Sequence, residues 1–186
     1  MKRAILTALF LVSLGLTSAW GTYQEKTVTV IIDTSLGKIK ADLYPDKADK
    51  TVENFLKYVD DKHYDDTLFH CVMANMIQGG GMVKGMKEKK TRDPLKYEAT
   101  GLSNKRGTLA MARSSVPDSA ASQFFINVVD NDRFDRANAR DGVGYVVFGK
   151  IVDADSMRVV DAINAVETKG ANVPVEDVVI KSIRRQ

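Results

Sequence analysis

Three stretches of this chain hold residue types that do chemistry. The first, Phe69-His70-Cys71-Val72-Met73-Ala74-Asn75-Met76-Ile77-Gln78-Gly79-Gly80-Gly81, brings an imidazole, a thiol and a carboxamide up to a glycine triplet. The second is Gly107-Thr108-Leu109-Ala110-Met111-Ala112-Arg113. The third is Ser122-Gln123-Phe124-Phe125-Ile126-Asn127, followed by Tyr145-Val146-Val147-Phe148-Gly149-Lys150. An imidazole could move protons near neutral pH. A glycine triplet after a strand could approach phosphate, but the Lys-Ser/Thr of a phosphate-binding loop does not follow it. HExxH, CxxC and GxSxG are all missing from the sequence, so metal-dependent and serine hydrolysis lack their signatures, and no metal or cofactor is expected. Read singly, each stretch also has a purely structural explanation. His70 on a strand fits a hydrogen-bonded core residue, Phe124-Phe125 fits core packing, and Cys71 fits a buried small hydrophobe.

The surrounding pattern says what must position these groups. Val28–Ile32 and Gly37–Leu43 read as two strands of a hairpin, joined by the turn chemistry of Asp33-Thr34-Ser35-Leu36-Gly37 and stopped by Pro45. Residues 49–60 read as a helix that buries Val52, Phe55, Leu56 and Val59. A second helix is predicted over about 154–166, with Met157, Val160, Ile163 and Val166 on one face and Asp153 or Asp155 as its cap. Six further short runs read as strands: Leu68–Val72, Met76–Gln78, Thr108–Ala112, Gln123–Val128, Tyr145–Phe148 and Val178–Ile183. The expected fold is therefore mainly β, a closed eight-stranded antiparallel β-barrel capped by two α-helices. Closure removes exposed strand edges.

The chain has 186 residues, 44% of them hydrophobic, enough for one domain with a proper core. Its start is different in character. Met1-Lys2-Arg3 is basic, Ala4 to Leu16 is apolar and uncharged, and Thr17, Ser18 and Ala19 are small, the layout of a secretory signal peptide. The organisation expected is a signal over residues 1–19 (cleaved after 19 or 21), a short extension over 20–26 and one domain over 27–186, periplasmic or secreted and without lasting membrane association. Losing Lys2 and Arg3 with the signal would lower the formal net charge from +3 by two, to +1. No concentrated basic face suggests nucleic acid, and the stretch Lys84 to Arg92 reads as a solvated loop. The single cysteine, Cys71, rules out an internal disulfide. A monomer is expected.

Taken in order, the three stretches resemble the cyclophilin family of peptidyl-prolyl isomerases, whose members show FHR and QGG, then G-x-L/I-x-M-A, SQFFI and VFGKV. The likeness spans about residues 27–184 and is greatest to the periplasmic bacterial branch. The resemblance implies a groove on the outside of the barrel that binds X-Pro segments of unfolded or exported polypeptides. It implies a catalytic set of His70, Gln78 and Phe125, with Phe125 and Met76 lining the proline pocket and Gln78 and Gln123 bonding the peptide backbone. Met111, Ala112, Phe134 and Tyr145 complete the implied substrate-binding set, with Arg133 the alternative to Phe134 at the rim. Three departures stand out. Cys71 occupies the place of the family's arginine donor, the segment from Phe69 to Gln78 is one residue short, and Asn75 stands where an aromatic residue is usual. The loop at Met73–Asn75 is expected to absorb the shortening. Arg113 or Arg133, both read as solvated charges, could supply the missing donor. The function implied is a weakened isomerase assisting the folding of exported proteins. The alternative is a catalytically impaired chaperone or scaffold that binds proline peptides.

Overall fold

The structure, a computed structural model, describes residues 26–186. The predicted signal and all but the last residue of the 20–26 extension lie outside the described residues.

Alternation of apolar and polar side chains builds the first hairpin. β1 (Val28–Thr34) and β2 (Gly37–Leu43) pair along their whole length, with Val30, Ile32, Ile39, Ala41 and Leu43 fully buried. The chain then forms α1 (Asp49–Asp60), β3 (Thr67–Met73), β4 (Met76–Val83), β5 (Lys87–Glu88), β6 (Thr108–Met111), β7 (Phe124–Asn127) and β8 (Val147–Ile151). It ends with α2 (Ala154–Asn164), a short ribbon of β9 (Thr168–Lys169) and β10 (Val173–Pro174), and β11 (Val179–Arg185). The strands neighbour one another in the order β3-β11-β1-β2-β8-β6-β7-β4, and β3 also pairs with β4. That last pairing closes an antiparallel barrel of eight strands, as the sequence led one to expect, with β5 appended to β4.

Both helices lie where their periodicity puts them. α1 buries Val52, Phe55, Leu56 and Val59 and packs against β11. Its N-terminus has no side-chain cap of its own; the carboxylate of Glu98, from a distant loop, accepts from the N–H groups of Lys50 and Thr51 and from the Thr51 hydroxyl instead. α2 is capped by Asp153, which accepts from the Ser156 N–H at 2.7 Å. The helix ends two residues earlier than its pattern suggests, though Val166 still packs on the core. Val52, Phe55, Val59, Val160 and Ile163 join the barrel interior in one continuous core.

The glycine triplet is strand, not loop. β4 runs through Gly79, Gly80 and Gly81 to Val83, past the predicted end at Gln78. A Cβ on Gly79 would lie 2.8 Å from the Leu68 carbonyl oxygen, and Gly80 takes φ +85° against Phe124 and Tyr64. Close approach of backbone to core is the reason for these glycines.

Candidate active site

The site is built on one row of side chains across five strands. Residues paired across an antiparallel ladder point to the same face. Cys71 pairs with Gln78, Gln78 with Phe125, Phe125 with Ala110, and Ala110 with Val147. The next residue along each of β4, β6, β7 and β8 points the other way, into the core: Ile77, Met111, Ile126 and Phe148. Outside the barrel, Met76, Ala110, Phe125 and Val147 form a second apolar cluster, packed against Leu102, Ala112, Phe134 and Tyr145. Phe125 is its floor. The Phe134 and Tyr145 rings stand edge-on to it at 5.8 and 5.4 Å, and to each other at 5.0 Å.

Beside this cluster the surface turns polar. Gln78 Nε2 donates to Gln123 Oε1 at 2.9 Å. Both glutamines line a groove of about 360 Å³ with Ala112, Arg113, Ser119 and Glu88. His70 is the extra residue where β3 bulges, between Phe69 opposite Gly79 and Cys71 opposite Gln78. It is 7% exposed and its Nδ1 has no hydrogen-bond partner. Burial lowers its pKa, opposed by the Leu68 carbonyl, the Gln123 side chain and the Glu88 charge. The ring is thus favoured in its neutral form. Burial raises the pKa of the half-buried Cys71 thiol, with no opposing cation, so Cys71 is not an activated thiolate.

An apolar hollow flanked by amide donors and acceptors can hold a compact ring and bond an extended peptide. It offers no activated nucleophile, and among the described residues no group of acids, histidines and cysteine could hold a metal ion. The family model for cyclophilin type peptidyl-prolyl cis-trans isomerases matches residues 29–185. This chain belongs to that family. Peptidyl-prolyl cis-trans isomerase B of Escherichia coli is 48% identical over 161 residues, covering 83% of this chain and 97% of the relative. Peptidyl-prolyl cis-trans isomerase A of Dickeya dadantii is 44% identical over 191 residues, covering 99% and 98%. A crystal structure of a Cryptosporidium parvum cyclophilin solved in the presence of the dipeptide Ala-Pro superposes with a TM-score of 0.71 at 25% identity, covering 85% of this chain and 98% of that one.

In this cyclophilin the expected residues mostly converge. Met76, Phe125, Phe134, Tyr145 and Ala112 meet in or against the outer cluster, and Gln78, Gln123 and Ala112 line the adjoining groove. Met111 does not belong with them. It is 2% exposed and packs in the barrel core, because it pairs with the inward Phe124 while Ala110 pairs with the outward Phe125. Ala110, Val147 and Leu102 were missed as pocket residues, and the ladder pairing with Phe125 would have given the first. Phe134, not Arg133, takes the rim position; the Arg133 guanidinium lies over the Phe134 ring at 5.2 Å.

Arg113 is not the solvated charge expected, its side chain being 5% exposed. Its Nε donates to the Gly144 carbonyl, its other nitrogens bond the Ser114 carbonyl and Asp141, and it lies 4.9 Å over the Tyr145 ring. The Arg113 guanidinium and the Gly144 and Val143 N–H groups hold the Asp141 carboxyl well below the usual carboxylate range. Arg113 therefore braces the Tyr145 wall, each of its three nitrogens holding a bond within the protein. Asn75 does not line the pocket. Its side chain bonds Asn131, and the β3–β4 turn is reduced to Ala74-Asn75 while Gln78 stays opposite Phe125.

Proposed function

We propose that this cyclophilin turns X-Pro peptide bonds of exported chains between cis and trans, at a rate held down by Cys71. The observation that carries the reading is the outward row Cys71–Gln78–Phe125–Ala110, which sets a thiol beside an apolar floor and an amide pair. Rotation about the amide C–N bond meets a barrier of about 18–20 kcal/mol, and X-Pro bonds exchange over roughly tens to hundreds of seconds unaided. No bond breaks, so the protein needs only to favour the twisted amide over both planar forms. In this reading the Phe125 floor holds the proline ring while the glutamines fix the chain on one side of it. The twisted nitrogen regains a lone pair, and a fixed donor aimed there stabilises only the transition state. A thiol is a weak donor without permanent charge, and cannot replace a guanidinium fork.

Removing one preorganised donor typically costs about 10²–10³ in rate. The Cys71→Arg variant is therefore expected to exceed the parent at least several-fold in an NMR exchange or protease-coupled assay on a proline peptide. No gain would remove Cys71 as the cause of slowness. Cys71 also favours a second reading, a scaffold that holds proline segments without turning them over. Peptide binding by the parent with no measurable turnover would select it.

The export half of the proposal is supported by Met1-Lys2-Arg3 and the uncharged run Ala4–Leu16. Among the described residues no helix is long and apolar enough to cross a membrane. N-terminal sequencing of the protein from its native host tests it: a start near residue 20 supports export, and an intact Met1 or Lys2 on a cytosolic protein opposes it.

A further inference from the structure

A chain of buried amides runs behind the outer cluster. Asn75 and Asn131 bond each other twice, Asn75 Nδ2 donating to Asn131 Oδ1 and Asn131 Nδ2 to the Asn75 carbonyl, both at 2.9 Å. Asn131 Nδ2 also donates to Asn127 Oδ1 at 2.7 Å. Asn127 Nδ2 donates onward to Thr108 Oγ1 at 2.9 Å and Asn104 Oδ1 at 3.2 Å. Asn104 Nδ2 donates in turn to Asp135 Oδ1 at 3.0 Å and to the Tyr145 carbonyl at 3.2 Å. The Asn104 N–H and the Ser103 hydroxyl complete the shell of the Asp135 carboxylate. Asn104 and Asn127 are fully buried and Asn131 nearly so. Amides in that setting are costly unless every group is paired. The polarity is fixed from both ends: Asp135 and the Tyr145 carbonyl only accept, so Asn104 must turn its NH₂ toward them, and the Asn75 carbonyl likewise orients Asn131.

The ends of this chain join the pocket residues through the backbone or a hydrogen bond, and its middle lies two residues from them. Met76 follows Asn75, Phe134 precedes Asp135, the Tyr145 carbonyl is itself an end of the chain, and Phe125 sits two residues before Asn127 on the same face of β7. The Tyr145 N–H also donates to the Phe134 carbonyl at 2.9 Å, joining the two aromatic walls. We propose that this amide chain sets the distance between the pocket's walls, with Asn127 as a positioning residue for proline binding. The proposal rests on the reading that the outer cluster takes the proline ring.

The test is Asn127→Asp, which swaps one NH₂ for oxygen at nearly constant volume. When protonated, the acid donates toward Asn104 and accepts from Asn131, and the chain survives. When ionised, it faces Asn104 Oδ1 with a second acceptor, and Asn104 must turn over and release Asp135 and Tyr145. Burial raises the pKa of such a carboxyl, and the Asp135 charge beyond Asn104 raises it further. Nearby cations do not reverse this, because Lys105 is held by Asp130 and Asp132, and Arg106 by Asp161 and the Val128 carbonyl. The partners of β7 on this row and the next, Met76, Gln78 and Ala110, carry no charge.

Relative to the parent at the same pH, the variant's KM for a proline peptide is expected to match at pH ~5 and to rise about fivefold at pH ~8, with kcat little changed. The Phe134 and Tyr145 ring resonances are expected to shift over that range in the variant and not in the parent. Unmoved rings together with an unmoved KM overturn the proposal. Moved rings in a protein whose parent takes no proline peptide overturn the pocket reading and leave the amide chain standing. Should Asn127→Asp fail to fold, Asn75→Ala, which removes only the half-exposed first link, is expected to shift the same resonances at every pH. Resonances left in place would overturn the proposal equally.

Discussion

Strands β4, β6, β7 and β8 carry two apolar faces made from alternate residues, and the two faces differ in how they are enclosed. The inner one, with Ile77, Leu109, Phe124, Ile126 and Phe148, is surrounded by the rest of the barrel and both helices. The outer one, with Met76, Ala110, Phe125 and Val147, has the half-buried hydrophobics Leu102, Ala112, Phe134 and Tyr145 packed against it, and gives way at once to glutamines and a braced arginine. Phe124 and Phe125 are both almost fully buried, at 0% and 2% exposure. Exposure alone therefore does not separate a residue of the inner face from one of the outer; the company each keeps does.

The sharpest way to break this comparison is to truncate those neighbours separately. Phe124→Ala is expected to lower unfolding free energy by about 3–5 kcal/mol, the usual cost of emptying a closed core site. Phe125→Ala is expected to cost less stability but to lower kcat/KM about 10²-fold, because the floor of the proposed proline pocket goes with the ring. Denaturation curves and a peptide assay on both variants decide it, and equal losses in both quantities would erase the distinction. A smaller effect is expected at the polar border. Gln123→Leu leaves Gln78 Nε2 without its acceptor and removes an amide from the groove, so kcat/KM should fall about tenfold. Unchanged kinetics would take the glutamine pair out of the site.

The smallest effect is one of pH. Burial holds the His70 pKa, and that of His63, below the ordinary value. The unfolded chain then binds more protons than the native one below pH ~6.5, and stability falls as pH drops from there toward the lower folded values. Urea unfolding of the parent and of His70→Gln at pH ~7 and ~5 should show a shallower loss in the variant, with His63 keeping the remainder. Parallel losses would mean that His70 does not titrate differently on folding.

Much of the fold was legible because its elements are strongly periodic. The bounds of α1 follow from Val52, Phe55, Leu56 and Val59, and the structure returns the same residues 49–60. The two-residue strands β5, β9 and β10 are too short to show any alternation. The outer site was legible as a set of residues but not as a surface. Met111 sits in a motif beside Ala112, and only the ladder pairing with Phe124 shows that it turns inward. Arg113 read as solvated because nothing in sequence announces that Gly144, Asp141 and Tyr145 fold over it. Asn75 looked like a lost aromatic wall because its partner lies 56 positions away at Asn131.

β11, formed by residues 179–185, lies between β1 and β3. The ring of strands cannot close until residues 179–185 are in place. A chain without them has the flanks of β1 and β3 bare. Trimming the last eight residues would accordingly remove a stave from the middle of the wall, not fray its margin.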